Sequence, residues 1–367
     1  MQSRQPSKTD AVYKILEERI LSGVWPVGEC IPAESELSQE FQCGRHSIAQ
    51  AINRLVHEGL VVRKKRAGTR VIRNTPARGR RSIELDALAF LYPNELHEGI
   101  RRIAHGFQEQ AIISNRRVLM LTTGTDFHKE GEIIGRLDEF DVKGVATYPV
   151  LPDLQARLHF EQMVLKCRLP LVLLTPLPGL GTPSVSFDGF HAGWIMTRYL
   201  LDQGLTRIGY LANYAWIQSS RESYLGYRQA MEDAGLTINP NLVLREPSMQ
   251  PNFENPLVEG TALVSDYLKR ALRHQVEGIV CSGDFLALKC LEVAKQMKIN
   301  IPKELRVAGI ADYSISANSN PPLTTYHIPF EEMGKAAFNL LEAMVRGESV
   351  RDTELQIRGH IVCRKSA

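Results

Sequence analysis

The 367-residue chain has little cysteine, and its six cysteines lie far apart. They are Cys30, Cys43, Cys167, Cys281, Cys290 and Cys363. Their positions match neither the paired spacing of a zinc site nor the density of a disulfide-stapled domain. We therefore expect buried, reduced thiols and no metal or other cofactor.

Long apolar runs and catalytic signatures are also missing from the sequence. No segment approaches the roughly 20 apolar residues of a membrane span, and the polar start does not resemble a signal peptide. The sequence contains no G-x-S-x-G, and Gly179-Leu180-Gly181 lacks the remainder of a phosphate loop. We expect a cytoplasmic protein that contacts no membrane and is not an enzyme.

The small net charge of +3 conceals an uneven distribution. The first 82 residues hold 15 lysines and arginines against 8 acidic residues, whereas residues 83–367 hold 29 against 33. A basic segment joined to an acidic remainder is typical of a protein that contacts nucleic acid.

Within the basic part, the segment 31–72 has the pattern of a DNA-reading module. Apolar residues recur with helical spacing at Ile48, Ala51, Ile52, Leu55 and Val56. The opposite face carries Arg45, His46, Ser47, Gln50, Asn53 and Arg54. These polar side chains are of the kind that bind phosphates and base edges, so the pattern predicts a recognition helix, which Gly59 ends.

A basic hairpin is predicted directly after this helix. Two β-branched runs, Leu60–Arg63 and Thr69–Ile72, flank a lysine- and arginine-rich tip, and an earlier helical stripe includes Leu16 and Ile20. Together these elements indicate a winged helix-turn-helix that binds double-stranded DNA. Its predicted wing contacts are Lys64, Lys65, Arg66, Gly68 and Thr69.

The same segment resembles the GntR family of bacterial transcription factors. The resemblance rests on Ile31–Leu37, Cys43–Ile48, Glu58–Val61 and Ala67–Thr69, which match four family motifs in order. It implies that Arg45 contacts phosphate or base. The family pattern is broken at Ala33, Ser35, Ala49 and Arg66, which implies a changed operator or different phosphate anchors.

Beyond residue 73 the organisation changes. Residues 73–82 are polar and basic and predict a linker, whose four arginines leave open a contact with the phosphate backbone or minor groove. Apolar strands then alternate with amphipathic helices, as in parallel sheets covered on both faces. The expected strands are 88–92, 118–121, 144–147, 171–174, 208–211, 242–244, 278–281 and 307–310. This number predicts two α/β lobes with a ligand cleft between them.

This second part resembles the LacI-type repressors and the periplasmic sugar-binding fold. The matching segments are Val185–Gly193, Gly204–Gly235, Val276–Asp284, Val307–Ile310, Pro321–Thr325, Glu332–Gly334 and Glu354–Gly359. The fold class expected is therefore α/β, a winged helix-turn-helix followed by a two-lobed periplasmic-binding-protein-like domain with parallel sheets.

The predicted boundaries follow from both resemblances. The DNA-binding domain covers residues 1–75, the linker 76–83, and the effector-binding and dimerisation domain 84–367. The N-lobe is expected at about 84–184 and 316–328, and the C-lobe at about 185–315 and 329–367. The resemblance implies that the protein binds a pseudo-palindromic operator as a homodimer. It also implies a small-molecule effector, and the family favours a carbohydrate.

The effector site departs from the family pattern. The three polar anchors that LacI-type sugar binders use correspond here to Ser223, Gly283 and Ala311, which cannot replace them. Residues just past the predicted strand ends and near the lost anchors are the candidates for ligand contact, and Trp216 and Tyr214 are suited to stack on a sugar face. The predicted effector residues are Asn94, Thr123, Tyr148, Thr175, Asp188, Trp216, Arg221, Asp284 and Asp312.

Three functions remain open from the sequence. The first is a repressor controlled by a sugar-like effector, and the second is a regulator whose body senses a non-sugar ligand or a protein partner. An enzyme or a solute-binding protein is the remote alternative. For Asp284 and Asp312, capping of a helix or a turn is the structural alternative to ligand binding.

Overall fold

The computed structural model describes residues 8–57, 59–64, 68–74, 86–124, 126–149, 151, 153–177, 179–247, 260–350 and 353–367. Contacts divide the chain into two compact units, Met1–Glu84 and Leu85–Ala367, which we call the head and the body. The predicted linker 76–83 lies outside the described residues.

The head is a three-helix domain with a two-stranded hairpin. Its elements are α1 (Lys8–Leu21), α2 (Glu34–Glu40), α3 (Arg45–His57), β1 (Val61–Lys64) and β2 (Gly68–Val71). The strands pair antiparallel, with Val61 opposite Val71 and Lys64 opposite Gly68. The predicted helix-turn-helix and hairpin are confirmed, with each strand displaced by one residue.

One apolar cluster holds the head together. Leu16 and Ile20 of α1 pack with Ile48, Ile52 and Leu55 of α3, and all five are almost fully buried. Ile15, on another face of α1, is exposed. At α2, the Ala33 N–H donates to Glu36 Oε2 at 2.8 Å, so one half of a capping box survives without a capping serine.

The first lobe of the body is an all-parallel six-stranded sheet in the order β13-β7-β6-β5-β3-β4. Its strands are β3 (Ala87–Tyr92), β4 (Arg117–Thr122), β5 (Val142–Thr147), β6 (Leu171–Leu173), β7 (Ser184–Phe187) and β13 (Glu354–Ile357). Its helices are α4 (Glu98–Ile113), α5 (Phe127–Arg136), α6 (Leu154–Lys166) and α12 (Phe330–Val345). Every residue of β3 is buried, as expected for a central strand covered on both faces.

The second lobe has its own six-stranded sheet in the order β14-β12-β11-β10-β8-β9, parallel except for β14. Its strands are β8 (Ile208–Ala212), β9 (Val243–Arg245), β10 (Gly278–Cys281), β11 (Arg306–Ala311), β12 (Thr324–His327) and β14 (His360–Val362). Its helices are α7 (Gly189–Leu201), α8 (Gln218–Asp233), α9 (Thr261–Arg273), α10 (Asp284–Gln296) and the short α11 (Ser314–Ala317). The predicted pair of parallel sheets is confirmed.

The predicted exchange of segments between the lobes is wrong in detail. Strand β12 belongs to the second lobe, because Thr324–His327 pairs in parallel with β11. Helix α12 and strand β13, expected in the C-lobe, belong to the first lobe, because α12 packs on α4 and β13 pairs with β7. The chain therefore crosses between lobes after β7, after β12 and after β13.

Two further expectations concern the cysteines and the membrane. Cys281 and Cys290 are buried, but Cys30 and Cys363 are exposed, so the expectation of six buried thiols is wrong. Within the described ranges, every helix is too short or too polar to cross a membrane.

Candidate functional site

The exposed face of α3 carries the predicted DNA-reading side chains. Arg45 and His46 are exposed in its first turn, Ser47 is half-buried, and His46 shares a 3.0 Å hydrogen bond with Gln50 one turn later. The apolar stripe of the same helix is buried against α1, which leaves this face to solvent. The first turn of a recognition helix is the part that contacts base edges in helix-turn-helix proteins.

Two predicted contacts are engaged within the head. The Arg54 guanidinium lies 4.0 Å from the ring centroid of Tyr13, a cation–π contact with α1. Asn53 Oδ1 accepts a 3.0 Å hydrogen bond from Arg63, which also pairs with Glu34. Arg63, which was not predicted, thus joins the first hairpin strand to α2 and α3 and fixes the wing against the recognition helix.

The wing is described in part. Lys64 ends β1, Gly68 begins β2 with a φ of +79°, and Thr69 is half-buried behind it. Lys65 and Arg66 lie outside the described residues.

A cavity of about 220 Å³ lies between the two lobes of the body. It is bounded by residues at or just beyond the carboxyl ends of β5, β7, β8, β10, β11 and β12, together with the first turn of α4. Parallel strands from both sheets end here, which is where open α/β sheets bind ligands. The volume is below the roughly 300–1,000 Å³ of pockets for drug-sized ligands, so it suits a compact molecule.

Aromatic side chains from both lobes form one wall of the cavity. The Tyr313 ring stacks on Phe285 with centroids 4.7 Å apart and on Phe330 at 5.9 Å. His97 meets Tyr313 edge-on at 5.6 Å, and burial lowers the pKa of His97 to about 4. The imidazole is therefore neutral at neutral pH, and the wall presents flat, uncharged faces.

Asp284 is a fully buried carboxyl group in the cavity wall. Its Oδ2 accepts hydrogen bonds from Ser316 Oγ (2.6 Å) and the Tyr313 N–H (3.1 Å), and its Oδ1 accepts one from Thr325. Burial raises the pKa of Asp284 to about 6 despite these donors. The side chain holds the chain after β11 in place, and its oxygens are already engaged.

Two of the nine predicted effector residues, Tyr148 and Asp284, line the cavity, as does Tyr214. The other seven lie outside its walls. Asn94 accepts the Leu96 N–H at 2.9 Å, Thr123 and Thr175 donate to backbone carbonyls, and Trp216 is half-buried elsewhere. Thr123 follows β4, an edge strand, which removes it from the centre of the sheet.

The remaining three candidates serve the framework. Asp188 caps α7 by accepting the His191 N–H at 2.8 Å and also pairs with Arg358. Asp312 pairs with His327 at 2.8 Å and with Arg364 at 2.6 Å. Arg221 is exposed and donates to the Ala215 carbonyl.

The sequence search missed most of the cavity wall. His97, Phe285 and Phe330 lie three to five residues beyond strand ends, in the N-cap or first turn of α4, α10 and α12. The predicted residues lie immediately after the strands, whereas the wall continues into the first turn of the helix that follows each strand, and this position is the signal that identifies these three residues.

Direct contacts join the two lobes beside the cavity. Glu98 of α4 accepts hydrogen bonds from Ser314 N (3.0 Å) and Ser314 Oγ (2.7 Å). Arg102, bound by Glu331 at 2.7 Å, also reaches the Asp312 carbonyl at 3.3 Å. These contacts hold the lobes together over the cavity.

Comparison with protein-family models assigns both units. Residues 8–71 match bacterial regulatory proteins of the gntR family, and residues 197–367 match a periplasmic binding protein-like domain. The chain joins a GntR-family DNA-binding domain to a periplasmic binding protein-like domain. It is a transcription regulator of that composite type, as its sequence motifs predicted.

Similarity extends along most of the regulator. It is 28% identical to the arabinose metabolism transcriptional repressor of Halalkalibacterium halodurans over 359 residues, 93% of this chain and 90% of the relative. Among solved structures, the transcriptional regulator CelR–cellobiose complex matches 99% of this chain and 100% of that chain, with a TM-score of 0.66 and 20% identity.

A further solved regulator structure matches a smaller share of the chain. A periplasmic binding protein/LacI transcriptional regulator from Alkaliphilus metalliredigens, complexed with D-xylulofuranose, has a TM-score of 0.63 and 17% identity, covering 77% of this chain and 99% of that chain. At these identities the structures show the fold. The residues at the three lost anchor positions lie at or near the cavity. Gly283 and Ala311 line it, and Ser223 shares a hydrogen bond with the Tyr210 hydroxyl behind it.

Proposed function

We propose that this regulator is a repressor that binds a pseudo-palindromic operator as a homodimer and changes its DNA affinity when a small molecule occupies the cleft. The DNA-binding unit would span residues 1–75, the linker 76–83 and the effector-binding body 84–367. The observation that carries the proposal is the joint presence of an exposed, polar recognition helix and an interlobe cavity in one chain.

The DNA contacts are assigned by exposure and charge. Arg45, His46 and Gln50 lie on the solvent face of α3, where they are free of the apolar core. Ser47, Lys64, Lys65, Arg66, Gly68 and Thr69 complete the proposed surface, while Asn53 and Arg54 support it through Arg63 and Tyr13. Arginine is suited to bidentate recognition of guanine and to phosphate contact.

The effector class has two candidates. The names of structural neighbours, which include complexes with cellobiose and D-xylulofuranose, support a carbohydrate. The replacement of three family anchors by Ser223, Gly283 and Ala311, with an aromatic wall in the cavity, supports a non-sugar ligand. In both cases a ligand that bridges the lobes would favour their closed arrangement, and coupling of about 1–3 kcal/mol would suffice to regulate DNA binding.

The DNA-binding proposal is tested by selecting sequences from a random duplex library with the full chain. We expect one enriched pseudo-palindrome, and Arg45→Ala should weaken its binding by about 1–3 kcal/mol through loss of a base or phosphate contact. Arg228→Ala, an exposed substitution in the body, is the control and should bind as the parent does. Failure to enrich any sequence would contradict the proposal, and unchanged affinity of Arg45→Ala would remove that residue from the interface.

A further inference from the structure

Ser220 is a buried hydroxyl that lacks a partner in the effector cavity. The residue is 8% exposed and lines the cavity, and its Oγ has no hydrogen-bond partner among the described residues. The nearby Tyr210 hydroxyl is already engaged by Ser223 Oγ at 2.7 Å and by the Ser220 carbonyl at 3.3 Å. A buried polar atom without a partner is unfavourable, so a ligand atom is the expected partner.

Ser220 lies in the first turn of α8, a 16-residue helix that begins at the cavity. Its N-cap is Ile217, which has no side-chain oxygen to accept the first N–H groups, and no acidic residue occupies the first turn of this helix, all of which the structure describes. The first N–H groups of a helix have no acceptor within the helix. Together with the helix dipole, they favour a negatively charged oxygen at this end.

The rest of the cavity is compatible with such a ligand. Of the described residues that line it, none is lysine or arginine, so helix N-termini supply the positive potential of the wall, and among α4, α8, α10 and α12 only α8 has no acidic residue in its first turn. Asp284 is the one acidic side chain among the described residues of the wall. Because its pKa is raised, a nearby anion would promote its protonation instead of meeting a fixed negative charge. The stacked Tyr313, Phe285 and Phe330 provide flat faces for a ring.

We propose that the effector is a compact ring molecule with an anionic oxygen head group, a carboxylate or a phosphate, bound by Ser220 Oγ and the first N–H groups of α8. The proposal rests on the proposed function, since it names the chemical class of the effector. It assigns to Ser220 the polar contact that family members make from the position of Ser223, one turn further along α8.

The test compares ligands that share a body and differ in head group. Melting temperatures of the full chain are measured at constant ionic strength with glucose, glucuronate and glucose 6-phosphate, and with benzamide, benzoate and phenyl phosphate. We expect an acid or phosphate to stabilise the protein more than its neutral partner does, and the comparison of the two anions identifies the head group. Ser220→Ala should lower the affinity for the anion by about tenfold or more, the usual effect of losing a hydrogen bond to a charged group.

Gln229→Ala is the control, because Gln229 is an exposed, uncharged residue further along the same helix and does not line the cavity. It should leave anion binding unchanged. Equal or stronger binding of the neutral compounds, unaltered binding by Ser220→Ala, or no shift with any of the anions would each overturn the inference. The selection of DNA by the full chain does not depend on Ser220. A negative result in the ligand test therefore contradicts the anionic effector but not the DNA-binding function, whereas failure to select DNA contradicts the proposed function whatever the ligand test shows.

Discussion

At the residue scale, Asp284 and Asp312 are two neighbouring carboxyl groups with opposite pKa shifts. Burial raises the pKa of Asp284 to about 6. Burial also acts on Asp312, but the hydrogen bonds from Arg364 and His327 outweigh it and lower the pKa of that carboxyl below its usual value. The two groups should therefore make stability depend on pH in opposite directions.

The first prediction concerns Asp284→Asn. The folded pKa of about 6 exceeds the unfolded value near 3.9, so the stabilising contribution of Asp284 is complete below about pH 4 and is lost as pH rises through about 6. The total loss is about 3 kcal/mol. An asparagine can still accept from Ser316 and donate to Thr325, so the network survives. Urea midpoints between pH 4 and 7.5 should show the parent losing stability relative to the variant.

Asp312→Asn provides the control of opposite sign. With its lowered pKa, Asp312 stabilises the folded state above its unfolded pKa, and this contribution is lost as pH falls. The difference between parent and variant should therefore grow with rising pH. Parallel stability curves for the parent and Asp284→Asn would show that the carboxyl does not titrate in this range.

At the element scale, each lobe contains a pair of helices that cross at glycines. In α7 and α8, a Cβ on Gly193 would lie 1.9 Å from the Ser223 carbonyl oxygen, and one on Gly226 would lie 2.0 Å from that of Phe190. In α4 and α12, Gly106 and Gly334 make equivalent approaches to backbone oxygens. The starts of α4, α8 and α12 lie at the cavity, so the glycines that set these crossings shape the site indirectly.

We predict that Gly226→Ala lowers the free energy of unfolding by about 2–3 kcal/mol, because the added methyl group meets backbone that cannot move without separating the helices. Gly135→Ala in α5 is the control: its Cβ would meet nothing within 4 Å, and alanine should stabilise that helix by about 0.5–1 kcal/mol. Urea unfolding followed by circular dichroism measures both. Equal small effects would mean that the α7–α8 crossing adjusts freely.

Elements were predictable from the sequence, while their assembly and the site were less so. Runs of buried residues located strands such as Ala87–Tyr92 and Gly278–Cys281 to within a residue or two, because burial on both faces leaves a continuous apolar signal. The pattern did not reveal that Thr324–His327 pairs with β11, since pairing depends on distant backbone. Polar residues after strands were predicted as ligands, yet Asp188 and Asp312 stabilise caps and ion pairs, and aromatic residues in helix first turns form the cavity.

At the scale of the whole molecule, function depends on the division of charge between the two units. The basic excess lies in the first 82 residues, and the remainder is slightly acidic. Phosphate contacts release counterions, so DNA affinity should fall steeply with salt, whereas a body that carries net negative charge adds no such contacts. The salt dependence of binding therefore reports which basic residues touch DNA, without knowledge of the operator.

The last prediction uses this property to test the wing. The combined substitution of Lys64, Lys65 and Arg66 by alanine should reduce the slope of log affinity against log salt by up to about 3, since each phosphate contact contributes about 0.9. Fluorescence anisotropy of the full chain with one labelled duplex, between low and moderate potassium chloride, measures the slope for any sequence. Arg207→Ala, which breaks an exposed ion pair with Glu277 in the body, is the control and should leave the slope unchanged. An unaltered slope in the triple variant would place the hairpin tip away from the phosphates and restrict DNA recognition to the exposed face of α3.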